Sequence, residues 1–182
     1  MVSKWYKFEA IPLLFLTALL LGACATSPRP SPSPPPTALS RPSPRECAPF
    51  ARDLTAVALR GPAYLWWHES EGVYPHSQRP AVGAILVFKR TRRMPEGHVA
   101  VVSAILSNRE ILVTQANWVR RRAQTDQPVL DVSPRNDWTE VRVWWEPSGT
   151  FGRETYATYG FILPPRPPSR QAILAAFPAA AE

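Results

Sequence analysis

Two cysteines and three histidines supply all the thiol and imidazole in this 182-residue sequence. Nucleophilic chemistry is therefore confined to few pairings. Cys47 stands where a helical pattern begins, and unpaired backbone N–H groups and the helix dipole at such a terminus favour a thiolate and can stabilise an oxyanion. His98 opens a run of β-branched residues after a Pro/Gly turn, held by a strand yet close to a loop opening. A thiol needs a base, and His98 is the natural one. An imidazole base needs a third group to fix its tautomer, and Gln115 and Asn117 offer two amides, two positions apart on the next strand and so expected on one face.

The elements that must carry these groups follow from pattern. Phe50, Ala51, Leu54, Val57 and Ala58 form a helical stripe expected to run to about Leu59 and stop at Gly61-Pro62, with Pro49 in the first turn where no donor is needed. Strands are expected at Ala84 to Lys89, His98 to about Ile105, Glu110 to Asn117, Pro128 to Val132, Thr139 to Trp145 and Tyr159 to Ile162. One helix followed by five or six strands joined by tight turns predicts an α+β domain, the Cys47 helix packed on an antiparallel sheet. Between helix and sheet lies an aromatic loop, Ala63 to Pro80. Its Trp66 and Trp67 are candidates for stacking on sugar rings near Cys47, while Trp118, Trp138, Trp144 and Trp145 read as core or sheet-face residues. His68 and His76 lack a partner at recognised ligand spacing, so the sequence predicts neither a metal site nor a cofactor.

Both ends read differently. Lys4 and Lys7, the apolar run Ile11 to Leu21 and the small residues before Cys24 have the regions of an export signal, and the run is too short to span a bilayer. Leu21-Gly22-Ala23-Cys24 resembles the lipobox of bacterial lipoproteins. That resemblance implies residues 1–23 as signal peptide, acylation of Cys24 as a membrane anchor and, with Ala25 rather than an aspartate following, a periplasmic protein held at the outer membrane. Cys47 is then left without an intramolecular partner, and a lone thiol in an oxidising compartment needs a reason. Residues 24–45, rich in Pro, Ser and Thr, read as an extended tether. Residues 46–163 form the compact domain, and 164–182 a Pro/Ala-rich tail in which Arg170 to Phe177 has helical character.

The net charge is +7. A leader ahead of Cys24 would remove Lys4, Lys7 and Glu9, one net positive charge, leaving +6. The basic balance thus belongs to the domain and points to an anionic partner. Arginine runs at residues 90, 92, 93 and 120–122 would suit any polyanion, but such runs are more often solvated faces, and no nucleic acid is expected.

Four segments in order, Glu46-Cys47-Ala48-Pro49-Phe50-Ala51, Val82-Gly83-Ala84-Ile85-Leu86-Val87-Phe88, Gly97-His98-Val99-Ala100-Val101-Val102 and Gln115-Ala116-Asn117-Trp118, resemble the CHAP family of cysteine, histidine-dependent amidohydrolases/peptidases. The resemblance spans roughly residues 45 to 120. It implies a reduced papain-like fold, Cys47 as nucleophile, His98 as base and a member of the Gln115/Asn117 pair as orienter. Many members carry Glu where this chain has Gln115, and Asn is the partner in Cys-His-Asn sites, so Asn117 is placed first and Gln115 second. The implied substrate is peptidoglycan, cut at an amide either between sugar and peptide or within the peptides. The competing readings are a wall-binding module that does not cut, and a basic polyanion-binding lipoprotein.

Overall fold

The computed structural model describes residues 46–177; the expected signal peptide, Cys24 and the whole of the expected tether, and the last five residues of the tail, lie outside them. Helix α1 spans Cys47–Thr55, with Glu46 as its extended N-cap residue and Pro49 in its first turn. It buries Ala48, Phe50, Ala51 and Leu54. The helix ends four residues earlier than the apolar stripe predicts. Ala56 takes a left-handed conformation, φ 56°, and its N–H bonds back to Arg52 O. Val57 and Leu59 remain buried, but from an irregular segment, and Ala58 N–H donates to the Tyr74 hydroxyl at 2.9 Å. The stripe thus reports burial correctly while helicity stops at the cap.

A single 3-10 turn, Ala63–Leu65, leads into the one-turn helix α2, Trp66–Glu69. Eight antiparallel strands follow: β1 His76–Ser77, β2 Ile85–Phe88, β3 His98–Ile105, β4 Glu110–Ala116, β5 Ala123–Asp131, β6 Glu140–Trp145, β7 Thr150–Phe151 and β8 Tyr156–Ile162. Their order is β1-β8-β2-β3-β4-β5-β6-β7, and β8 also pairs with β6. That extra pairing closes six strands into a barrel. Closure removes the free edges that an open meander would leave. The α+β plan stands, the antiparallel sheet being barrel-like and carrying two strands of two residues each beyond the six expected.

Alternation along the strands divides the apolar residues between two cores. Ala100, Val102, Ile111, Val113, Val129, Val141, Val143 and Phe161 fill the barrel with Phe88 and Trp138. Val99, Val101, Ala116, Ile85, Val87 and Ile162 face outward and are covered by α1 and by a C-terminal helix α3, Arg170–Ala175. The sequence ends the domain at residue 163; the chain in fact continues across the sheet. Ile173 is fully buried, Phe177 stacks on Phe50 with ring centroids 4.9 Å apart, and Arg170 forms a two-pronged bond to Asp126 at 2.6 and 3.0 Å. The prolines at 164–168 carry the chain to this docking site, and Ser169 caps the helix through a bond from Ala172 N–H.

Candidate active site

One end of the barrel is formed by the last residue of β2, the first of β3, the residues just past β4, the last of β6 and the first of β8. A cavity of about 380 Å³ opens there, lined by Cys47, His98, Trp118, Trp145 and Tyr156 together with charged and amide side chains. Cys47 and His98, far apart in sequence, thus meet at one opening. The helix reaches it because its buried face lies on the outer surface of β3 and β4, which sets its first residue at the strand ends.

Gly97 makes the approach to His98 tight. Its φ is +68°, and a Cβ there would stand 2.7 Å from Tyr64 N and 2.9 Å from Tyr64 Cβ. Tyr64 N–H also donates to Glu96 O at 3.1 Å. Only glycine combines that left-handed backbone with so close a neighbour.

His98 is 4% exposed and Gln115 is fully buried. The ring Nε2 lies 2.9 Å from Gln115 Oε1. An amide oxygen accepts, so in this arrangement Nε2 carries the proton and Nδ1 keeps its lone pair. Phe88 and Trp118 flank the ring at centroid distances of 5.3 and 5.0 Å. Burial in this aromatic setting lowers the His98 pKa to about 4, the Gln115 bond opposing it. The imidazole is neutral at pH 7.

The thiol is shifted in the opposite sense to the sequence expectation. Burial pushes Cys47 above its ordinary value, and the adjacent Glu46 carboxylate adds to the rise. Backbone N–H groups of Val99, Ala48 and Cys47 itself pull it down, but by less. The helix terminus does present donors to the sulfur as expected; desolvation outweighs them. The resting pair is a thiol and a neutral imidazole.

Asn117 is not where the alternation argument sets it. β4 ends at Ala116, and Asn117 has φ 64°, a left-handed conformation that asparagine tolerates better than most residues. Its Oδ1 accepts from Arg121 N–H at 2.8 Å, and its Nδ2 lies 3.5 Å from Glu46 Oε2. The order given to the two amides is therefore reversed in the geometry: Gln115 holds the ring, and Asn117 shapes the loop beside it.

The two candidate stacking tryptophans also lie elsewhere. Trp66 is fully buried under the sheet. Trp67 is stacked on His76 at 3.8 Å and on Tyr159 at 5.7 Å. Neither lines the cavity. Its aromatic residues are Trp118, Trp145 and Tyr156, the first two of which the sequence assigns to core or sheet face. Alternation indicates that only one of Trp144 and Trp145 points inward, without saying what lies at the strand end. His68 bonds to Glu71 and His76 to Ser70, both away from the cavity. Among the arginine runs, Arg93 pairs with Glu154 and Arg122 with Glu146, and Arg90 lies over the Tyr64 ring. Half of that positive charge is already engaged.

Residues 39–117 match the CHAP domain, a span of less than half the chain that includes Cys47, His98 and Gln115. A CHAP match points to amidase or peptidase activity of a general kind, with peptidoglycan as a consistent substrate. No curated protein matches the chain.

Proposed function

We propose that this protein is a peptidoglycan hydrolase that cuts an amide bond through a thioester on Cys47. One observation carries the proposal: the thiol and the imidazole line one cavity while the far ring nitrogen is held by a buried amide. With Nε2 engaged, Nδ1 is the nitrogen that takes the thiol proton as Sγ attacks the carbonyl. The tetrahedral oxyanion is stabilised by N–H groups at the start of α1. His98 then gives its proton to the leaving amine as the C–N bond breaks. Water attacks the thioester, His98 takes a proton from it, and the acid product leaves as Sγ is reprotonated. The proton moves within a neutral pair, so charge appears only as the reaction proceeds. Gln115 orients the ring rather than supplying countercharge.

One observation favours a second reading, a wall-binding module that grips peptides without cutting. Cys47 is raised and His98 lowered, both away from an ion pair. The arrangement at Cys24 supports a lipid-anchored periplasmic protein under either reading, tethered by the Pro-rich segment.

The test compares wild type with Cys47→Ala on purified sacculi, with released fragments identified by mass spectrometry. Products from wild type alone support the thioester route. Products identical in both would move catalysis off Cys47, and retained binding with no products from either would establish the binding module. For the anchor, Cys24→Ser should release the protein from membranes; unchanged fractionation would refute acylation.

A further inference from the structure

The two arginine runs, separate in sequence, come to the same end of the barrel. Arg90, Arg92 and Arg93 are on the β2–β3 loop, and Arg120, Arg121 and Arg122 are on the β4–β5 loop. Both loops form part of the rim of the Cys47 cavity, the first through Arg93 and the second through Asn117 and Trp118. The segment between β6 and β8 adds Arg153 at that end. All of these arginines are exposed. Arg93 and Arg122 are paired with glutamates, but Arg92, Arg120, Arg121 and Arg153 have no carboxylate partner among the described residues. On these loops the arginines outnumber the acids Glu96, Glu146 and Glu154. The far end is reversed: around the β3–β4 and β5–β6 loops, Glu110, Asp131, Asp137 and Glu140 outnumber Arg109 and Arg135. The domain is thus polarised, positive at the cavity end, and such a field turns that end toward a negative surface.

Two observations favour a plane of lipid headgroups as that surface. Trp145 stands on the same rim, 39% exposed, while Trp144 beside it is packed edge-on against Phe151. An open indole among arginines suits a membrane–water interface, where the ring lies at headgroup level and guanidinium forks match phosphate. The chain also enters the domain at Glu46, which itself lines the cavity. A lipid on Cys24 would be joined to the domain at this end, through a segment that reaches at most about 70 Å. Such a link keeps the local concentration of membrane high.

We propose that the arginine-bearing end of the barrel docks on an anionic phospholipid surface, with the mouth of the Cys47 cavity turned toward the headgroups. The choice of lipid draws on the anchored reading of Cys24; the face itself does not, and it is the same whether Cys47 cuts or only grips. Docking covers the cavity, and release opens it to the wall.

The test uses the chain from residue 24 with Cys24→Ser, which removes the anchor and leaves Cys47 as the one thiol. It is sedimented with vesicles of phosphatidylcholine, with and without phosphatidylglycerol. The expected result is binding to the mixed vesicles alone, reversed by raised salt. Arg92→Gln/Arg120→Gln should weaken that binding about tenfold. Arg135→Gln/Arg166→Gln, the same change of charge beyond the far ends of β5 and β8, should alter it by less than about twofold. Bound vesicles should also slow alkylation of Cys47 by neutral iodoacetamide severalfold. No binding, equal binding to neutral vesicles, equal losses in the two double variants, or an unchanged alkylation rate would overturn the proposal. So would a loss of binding to purified sacculi but not to vesicles in Arg92→Gln/Arg120→Gln, which would give this face to the wall. None of these readouts depends on acylation or on hydrolysis, so failure of the surface is distinct from failure of the anchor or of the enzyme.

Discussion

His98 and Gln115 are hydrogen bonded across β3 and β4, at 2.9 Å, as diagonal rather than directly opposed residues. The register that pairs Val101 with Thr114 sets Gln115 across from Ala100. Only a long side chain bridges such a diagonal. Gln115→Ala should cost about 1–3 kcal/mol by orphaning a buried ring N–H, and lower kcat on the order of 10- to 100-fold. Gln115→Glu should raise the His98 pKa by about one to three pH units, read by NMR titration of the ring, because a carboxylate stabilises imidazolium. An unmoved titration would remove Gln115 from its positioning role.

Asn117→Ala tests the residue that the sequence places first as orienter. It loses the bond from Arg121 N–H and sets a Cβ residue in a left-handed backbone, a cost of about 1 kcal/mol. Since the side chain does not hold His98, kcat should fall less than in Gln115→Ala, and Asn117→Gly should melt close to wild type. A larger kcat loss than Gln115→Ala gives would restore Asn117 as orienter.

Gly97→Ala is expected to damage both fold and site. The added Cβ meets Tyr64 backbone at 2.7 Å on a φ of +68°. The combined strain and overpacking amount to about 2–4 kcal/mol, measurable by urea unfolding. A variant as stable as wild type would contradict the close approach.

The neutral burial of His98 makes stability fall in acid. Its folded pKa of about 4 lies below the ordinary 6.5, so between those values the unfolded chain binds a proton that the folded one does not. Stability should be level in this respect above pH 6.5 and decline by roughly 3 kcal/mol as pH falls to 4. His98→Gln should flatten that part of the urea-unfolding profile. An identical slope in both proteins would assign the decline elsewhere.

The C-terminal helix should behave as part of the domain. Ile173→Ala removes a fully buried side chain and should cost about 2–5 kcal/mol, lowering Tm. Arg170→Ala, whose bond to Asp126 is partly exposed, should cost nearer 1 kcal/mol. A melt unchanged by Ile173→Ala would make α3 an appendage.

What the sequence disclosed follows a physical line. Cys47 at a helix start and His98 at a strand start are written in local signals, Pro49, the apolar stripe and Gly97, and the structure keeps both. β2, β3, β4 and β6 are likewise legible from β-branched, apolar runs bounded by turn residues. Gln115 against Asn117 was not, because the answer depends on where β4 stops, and one left-handed residue undoes a period-two argument. The thiol pKa depends on how deeply the finished fold buries Cys47, which a helix-terminus argument does not contain. Trp66 and Trp67 read as exposed because their loop looks polar, yet long-range packing covers them. The docking of α3 was hidden by prolines that look like a tail.

The pairing of β8 with both β2 and β6 has a bearing on how the chain acquires its structure. Leu86 pairs with Phe161 and Val141 with Tyr156, so the barrel is closed by residues made almost last. Contacts between such distant parts of a chain make folding slow, on the scale of milliseconds to seconds. Cys47 is made early and waits for the strands that complete its surroundings. A chain stopped short of Ile162 should have no partial competence, and a thiol synthesised early stays exposed to oxidants until the far strand arrives.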